Sequence, residues 1–166
     1  MRIVRGVAAV LSLFGLAISG WIYALTFFGF SRNNGATWPR FLQLGIFLLL
    51  LPIFALEYST KGRTFFWKDF SAGKPKWLVT AVQVLALFFF VHFLLFLVQS
   101  HMAGPGIRNG QYVLQSHGRI IRAITESEYM KLKAAELRLF AAGWIFFYFV
   151  PTVYWWSPRD RRPATR

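Results

Sequence analysis

The sequence predicts an all-α integral membrane protein: a four-helix transmembrane bundle with a small β-hairpin in the loop between helices 3 and 4. Three observations predict it. The 166 residues are 56% hydrophobic and contain four apolar runs, each near the roughly 20 residues that a bilayer span requires. The 19 Lys and Arg residues lie almost entirely outside those runs, the distribution expected of orientation and headgroup contact. The one long polar stretch, Gln111 to Leu132 (QYVLQSHGRIIRAITESEYMKL), is patterned like a small fold rather than a linker.

The first span covers about residues 6–30. Arg2 and Arg5 ahead of an apolar core imitate a secretory signal, whose apolar region is about 7–15 residues long. Here the run continues through WIYALTFFGF to Phe30, so a retained helix is expected. Ala8, Ser12, Gly15 and Ser19 fall on one stripe of that helix, where a neighbouring backbone can approach closely. Packing within the bundle is the default use of such a stripe; a homodimer seam is the sharper one.

The second span, about residues 41–58, is the shortest, with Trp38 and Tyr58 as interfacial flanks and Pro52 expected to kink it. In the following loop Lys61, Arg63, Lys68, Lys74 and Lys76 alternate with Phe65, Phe66, Trp67, Phe70 and Trp77. Aromatic rings settle at headgroup depth while lysines reach toward phosphate. These five cations are candidate headgroup contacts, whether as ordinary interfacial anchors or as a specific lipid site.

The third span, about residues 77–99, holds His92, the one ionisable group well inside an apolar run. Polar groups in a membrane are functional suspects. Bis-histidine ligation of haem would need a second histidine at that depth, and His101 and His117 are at the span's end and in the next loop. A neutral imidazole bonded to a neighbouring helix is therefore expected. Gln43 and Gln83 read as similar interhelical glue and complete the candidate intramembrane polar set; Gln99 has the same reading near the span's end. No cofactor and no metal are expected.

Residues 104–137 form the extramembrane part. GPGIRNG reads as turn formers. QYVLQ and RIIRAI flank His117-Gly118, which read as the centre of a two-residue hairpin turn with positive φ. That register sets Leu114 opposite Ile121, Tyr112 opposite Ala123, Gln115 opposite Ile120 and Val113 opposite Arg122. Tyr112, Leu114 and Ile121, with Arg122 beside them, form the candidate partner surface. An isolated hairpin is marginal in water, so it must rest on something. Thr125 followed by Glu128 is a capping box, predicting a helix from Glu126 that runs on through the fourth span, about residues 138–156. At 1.5 Å per residue it would be about 46 Å long, with Pro151 inside it.

Charge counts set the expected orientation. Lys and Arg number 2 before the first span, 2 in the first loop, 5 in the second, 6 in the third and 4 in the tail. Both termini inside places eleven within and eight outside, and short loops weigh most. The sequence therefore predicts a bacterial inner (plasma) membrane protein with cytoplasmic termini and an outward hairpin.

Several function classes are excluded. With no cysteine there are no disulfides, thiol chemistry, lipoprotein attachment or iron–sulfur ligation. No Asp, Glu, Lys or Arg lies mid-span, where ion-coupled transporters keep a carboxylate. The net charge of +13 sits at span ends, which argues against nucleic acid. A catalytic reading needs convergent groups, and His117 with Glu126 and Glu128 is the only assortment on offer, matching no metal or hydrolase spacing.

The expected function is a non-catalytic multi-pass membrane protein acting through a protein partner or as a homo-oligomer: an accessory subunit, immunity-type protector or envelope factor. The first rival is a lipid- or small-molecule-handling protein, which requires a pocket opening toward the bilayer beside Pro52, Pro151 or His92. The second is a membrane enzyme using the His117 and Glu126 region.

Overall fold

The computed structural model describes residues 2–30, 38–61, 71, 74–100 and 103–156, with side chains from residue 4 in the first segment and for residues 41–55 of the second. In chain order these form α1 (Arg2–Leu25), a 3-10 turn (Thr26–Phe28), α2 (Trp38–Lys61), α3 (Lys76–Ser100), β1 (Gly104–Arg108), β2 (Gln111–Ser116), β3 (Arg119–Ala123) and α4 (Glu126–Trp156). Three helical segments, Val4–Phe28, Lys76–Ser100 and Glu126–Trp156, are long and apolar enough to cross a membrane. The described apolar stretch of α2, Phe41–Ala55, is shorter.

α1 stops five residues before its apolar run does. Gly29 takes φ 82°, a left-handed setting that costs a residue without Cβ little, and the Phe30 N–H donates to the Leu25 carbonyl at 3.2 Å. This six-to-one bond closes the helix in the Schellman manner. Beside it the Arg138 Nε donates to Thr26 Oγ1 at 3.1 Å and its Nη2 to the Thr26 carbonyl at 3.4 Å. The guanidinium also covers the Phe27 ring at 4.6 Å. A cation at the carbonyl end of a helix is favourable, so Arg138 bolts the end of α1 to α4.

α4 is the central element. Ile22 of α1, Ile46 and Leu49 of α2, and Leu137, Ala141, Trp144 and Tyr148 of α4 form the main buried cluster. Val82 of α3 and Val153 of α4 form a second. The small stripe of α1 is used within the chain: Ser12 and Ser19 are fully buried, and their hydroxyls return to the Ala8 and Gly15 carbonyls. The reason for Gly15 is Tyr148. A Cβ at Gly15 would overlap the Tyr148 ring, and one at Gly45 of α2 would overlap its hydroxyl. That hydroxyl donates to the Leu42 carbonyl at 2.7 Å. Two glycines on two helices thus make a slot for one tyrosine of a third. Both prolines lie inside continuous helix, and Thr152 bonds the Tyr148 carbonyl at 2.7 Å next to buried Pro151.

The helices are apolar outward as well as inward. Phe14, Trp21, Leu87 and Val98 are all more than half exposed. Only 6% of the apolar stretch of α3 is buried.

Between α3 and α4 lies a three-stranded antiparallel sheet in the order β1-β2-β3, not a two-stranded hairpin. GPGIR, which reads as turn formers, is strand β1. Its pairing runs from Gly104 opposite Gln115 to Arg108 opposite Gln111, leaving Asn109 (φ 50°) and Gly110 (φ 77°) as a two-residue turn. Asn-Gly is the favoured sequence for such a turn. Pro105 is tolerated because β1 is an edge strand, and Gly106 makes room for Gln115, whose Nε2 would stand 2.6 Å from an added Cβ.

The second turn is centred on His117 (φ 49°) and Gly118 (φ 81°). Gln115 pairs with Ile120, but a bulge then puts Leu114 opposite Arg122 and Val113 opposite Ala123. The expected pairs Leu114–Ile121, Tyr112–Ala123 and Val113–Arg122 are therefore replaced. A bulge inserts one unpaired residue into a strand, and here it is Ile121.

Candidate functional site

The sheet is held on the first turns of α4, and the sequence explains how. Glu128 donates its N–H to Thr125 Oγ1 at 3.2 Å, so the helix begins at Glu126 as its cap requires. This puts Tyr129 and Leu132 on the face toward the sheet. Leu114, Ala103 and Leu132 share a buried cluster flanked by Ile124, and the Tyr112 and Tyr129 ring centroids are 4.8 Å apart. The Ile124 N–H returns to the Tyr112 carbonyl at 2.9 Å, fixing the connection between β3 and α4.

Both acidic groups of the first helical turn bind back to the sheet. The Arg122 guanidinium forms a two-pronged ion pair with Glu128, which raises the arginine further above its already high value. The Tyr112 hydroxyl bonds Glu126, and the carboxylate's charge, followed by burial, pushes the tyrosine above its ordinary range. These carboxylates are thus engaged in holding the sheet. They face Tyr112 and Arg122, whereas His117 is at the hairpin tip.

The four candidate partner residues separate. Leu114 is 2% exposed and faces α4, so it is removed from the free surface. Tyr112 is half-buried with it. Ile121 is 55% exposed, as is Ile120, and Arg122 lies on the same strand. All five residues of β3 are exposed, and β3 is a sheet edge.

Among the polar candidates within the apolar helices, His92 meets α1: its Nε2 is 2.8 Å from the Tyr23 hydroxyl and its Nδ1 2.9 Å from the Phe88 carbonyl. A carbonyl only accepts, so Nδ1 carries a proton. In the neutral ring Nε2 then accepts from Tyr23. Gln43 lines a cavity of about 360 Å³ between α2, α3 and α4, with Phe89, Phe140 and Phe147 around it. Gln83 is exposed on α3, so it is not glue between helices of this chain. Of the headgroup candidates, Lys74 and Lys76 stand at the start of α3. Arg63, Lys68 and the side chain of Lys61 lie outside the described residues.

A second feature lies beside Pro52, one of the places where the lipid- or small-molecule-handling reading requires a pocket. A crevice of about 790 Å³ lies between α1 and α2, lined by Val7, Leu11 and Phe14 on one wall and Leu48 and Pro52 on the other, with Tyr148 and Trp155 of α4 completing it. That size is within the range of about 300–1,000 Å³ usual for ligand pockets. Its walls are apolar and the Tyr148 hydroxyl is already spent on Leu42. The Trp155 indole Nε1 is buried without a hydrogen-bond partner. The paired glycines, Gly15 and Gly45, were the available signal, but only their shared neighbour makes them one feature.

Among the described residues no group of three or more His, Asp or Glu side chains is placed to hold a metal ion. No protein family, no curated protein and no solved structure matches this chain, so the sheet and the crevice are what bear on its function.

Proposed function

We propose that this is a non-catalytic, four-span membrane protein of a bacterial plasma membrane, with both termini cytoplasmic, that acts through a protein partner received on its outer sheet. Accessory subunit, immunity-type protector and envelope factor are the roles of that kind. The membrane part of the reading is supported by three long apolar helices and their outward Phe, Leu and Val side chains, a surface too apolar for water. In this reading α2 is the fourth span, its apolar centre extended at both ends by Trp38 and Tyr58.

The observation that carries the partner reading is β3. It is an edge strand, exposed along its whole length, with Ile120 and Ile121 outward, on a sheet clamped to α4 by an apolar cluster and an ion pair. Free edges invite pairing, and a strand from another chain can add to such an edge, with alternate side chains giving specificity. A rigidly held edge loses less entropy on binding than a loose loop would.

The test is crosslinking in native membranes followed by mass spectrometry. Ile120→Asp with Ile121→Asp should abolish the partner adduct while the protein stays in the membrane fraction. An adduct that survives both changes, or that maps to the helices alone, overturns the reading.

A further inference from the structure

The path of the chain through the sheet decides which end of it lies nearest the apolar helices. On β2, Tyr112 meets Tyr129 of α4, with ring centroids 4.8 Å apart, whereas Leu114 shares its buried cluster with Leu132. Advancing along β2 therefore means advancing along α4 toward its apolar part. The end of α3 gives the same direction. Ala103, just past Ser100, joins the cluster of Leu114 and Leu132, and Gly104 pairs with Gln115. The Asn109-Gly110 turn is thus the far end of the sheet, and the His117-Gly118 turn points back toward the apolar helices.

The reach of that turn follows from element geometry. The strand from Leu114 to His117 covers about 10 Å, and the helix from Leu132 to Arg138 about 9 Å. The tip therefore comes down to about the level of Arg138. There the guanidinium holds the end of α1 at Thr26, and Phe27 and Phe28 are exposed. Outward aromatic rings beside a cation are the marks of headgroup depth.

The tip is also positive. His117, Gly118 and Arg119 are all exposed. The carboxylates between residues 104 and 137 are already engaged: Glu126 with Tyr112, Glu128 with Arg122, and Glu136 with Lys133 at 2.7 Å. Among the described residues none pairs with Arg119, so its complement lies outside the chain. We propose that the His117-Gly118 turn rests on the bilayer surface, with Arg119 bound to the phosphate of an anionic phospholipid. The sheet then stands on two supports, the first turns of α4 and the headgroup layer. The inference rests on the membrane part of the proposed function and is independent of the partner at β3.

Because the chain has no cysteine, single labels test this directly. His117→Cys and Asn109→Cys place an environment-sensitive fluorophore at the two turns, at positions of matched backbone, φ 49° and 50°. Each full chain is reconstituted in vesicles of phosphatidylcholine and phosphatidylglycerol containing a phospholipid spin-labelled on its headgroup. The label at 117 should be quenched by that lipid, and the label at 109 by aqueous iodide instead. Adding Arg119→Gln should lower the ratio of lipid-contacting to water-exposed label at 117 by about five-fold, which one cation at an anionic surface supplies. Arg119→Lys should keep the contact, and in phosphatidylcholine alone Arg119→Gln should change nothing. Equal protease protection of the sheet in every variant shows that the fold is kept. Equal lipid quenching at the two turns, or quenching at 117 that Arg119→Gln leaves unchanged, would overturn the proposal. So would a label at 117 shielded from both quenchers, which places a protein against the tip. Flotation separates the two readings. A protein that does not float with the vesicles defeats the membrane reading along with this one, whereas one that floats with both turns equally quenched defeats the headgroup contact alone.

Discussion

The Tyr148 slot makes a prediction that depends on single atoms. An added Cβ at Gly45 would overlap the tyrosine hydroxyl, while the ring carbons behind it stand at 3.5 and 3.8 Å, which is ordinary contact. At Gly15 the overlap is with three ring carbons. Overfilling a packed site costs about 1–3 kcal/mol. Gly45→Ala and Gly15→Ala should each destabilise the fold by about that much, partly offset by the better helix propensity of Ala, about 1 kcal/mol. Tyr148→Phe alone loses the bond to the Leu42 carbonyl, about 0.5–1.5 kcal/mol. In the Tyr148→Phe background the two glycine changes should part company. Gly45→Ala becomes neutral because the atom it met is gone, and Gly15→Ala keeps its full cost because the ring remains. Gly20→Ala, with nothing within 4 Å of its Cβ, is the control and should be neutral or stabilising. Unfolding in mixed micelles, followed by far-UV circular dichroism, yields the coupling energies from a double-mutant cycle. Equal rescue at both glycines, or rescue at neither, would refute the slot.

Three further expectations concern the polar contacts. Tyr112 is held above its ordinary titration range by Glu126, so the folded state favours the protonated phenol. Its contribution is complete below about pH 10 and is lost as pH rises through the raised value. Protease protection of the sheet should fall there, and Tyr112→Phe should remove that alkaline step. Thr125→Ala deletes the cap of α4 and should cost about 1 kcal/mol, seen as faster amide exchange confined to the first turn after Glu126. Replacing His92 by Leu leaves the Tyr23 hydroxyl without its acceptor, and cross-helix bonds of this kind average about 0.6 kcal/mol. The loss should therefore be of that order, and the Tyr23→Phe, His92→Leu double variant should recover part of it, measured by the same micellar unfolding.

Local chemistry is legible in the order of residues alone. The apolar runs locate the helical segments because hydrophobic length is a property of consecutive residues. Thr125 with Glu128 marks the start of α4, and His117-Gly118 marks a turn, because a cap and a two-residue turn are decided within a few positions. The Asn109-Gly110 turn was equally local, yet the Gly and Pro content of β1 concealed the strand it closes. An edge strand accepts residues that a central one rejects.

The rest was settled by tertiary contact. The bulge that frees Ile121 and buries Leu114 depends on how β2 seats on Tyr129 and Leu132, a choice between registers that differ by one residue and that the alternation of side chains alone does not make. Tyr23 meets His92 across 69 positions and Tyr148 meets Leu42 across 106. Neither end of such a pair carries a sign of the other, since a tyrosine in an apolar helix has many possible acceptors. The sequence by itself determined which segments are greasy, where α4 starts and where the hairpin turns. Only the packed structure decided which side of the sheet is free, what fills the space beside Gly15 and Gly45, and that the Ser100 hydroxyl and the Trp155 indole are buried without a partner, because each of these is a relation between elements that the order of residues does not encode locally.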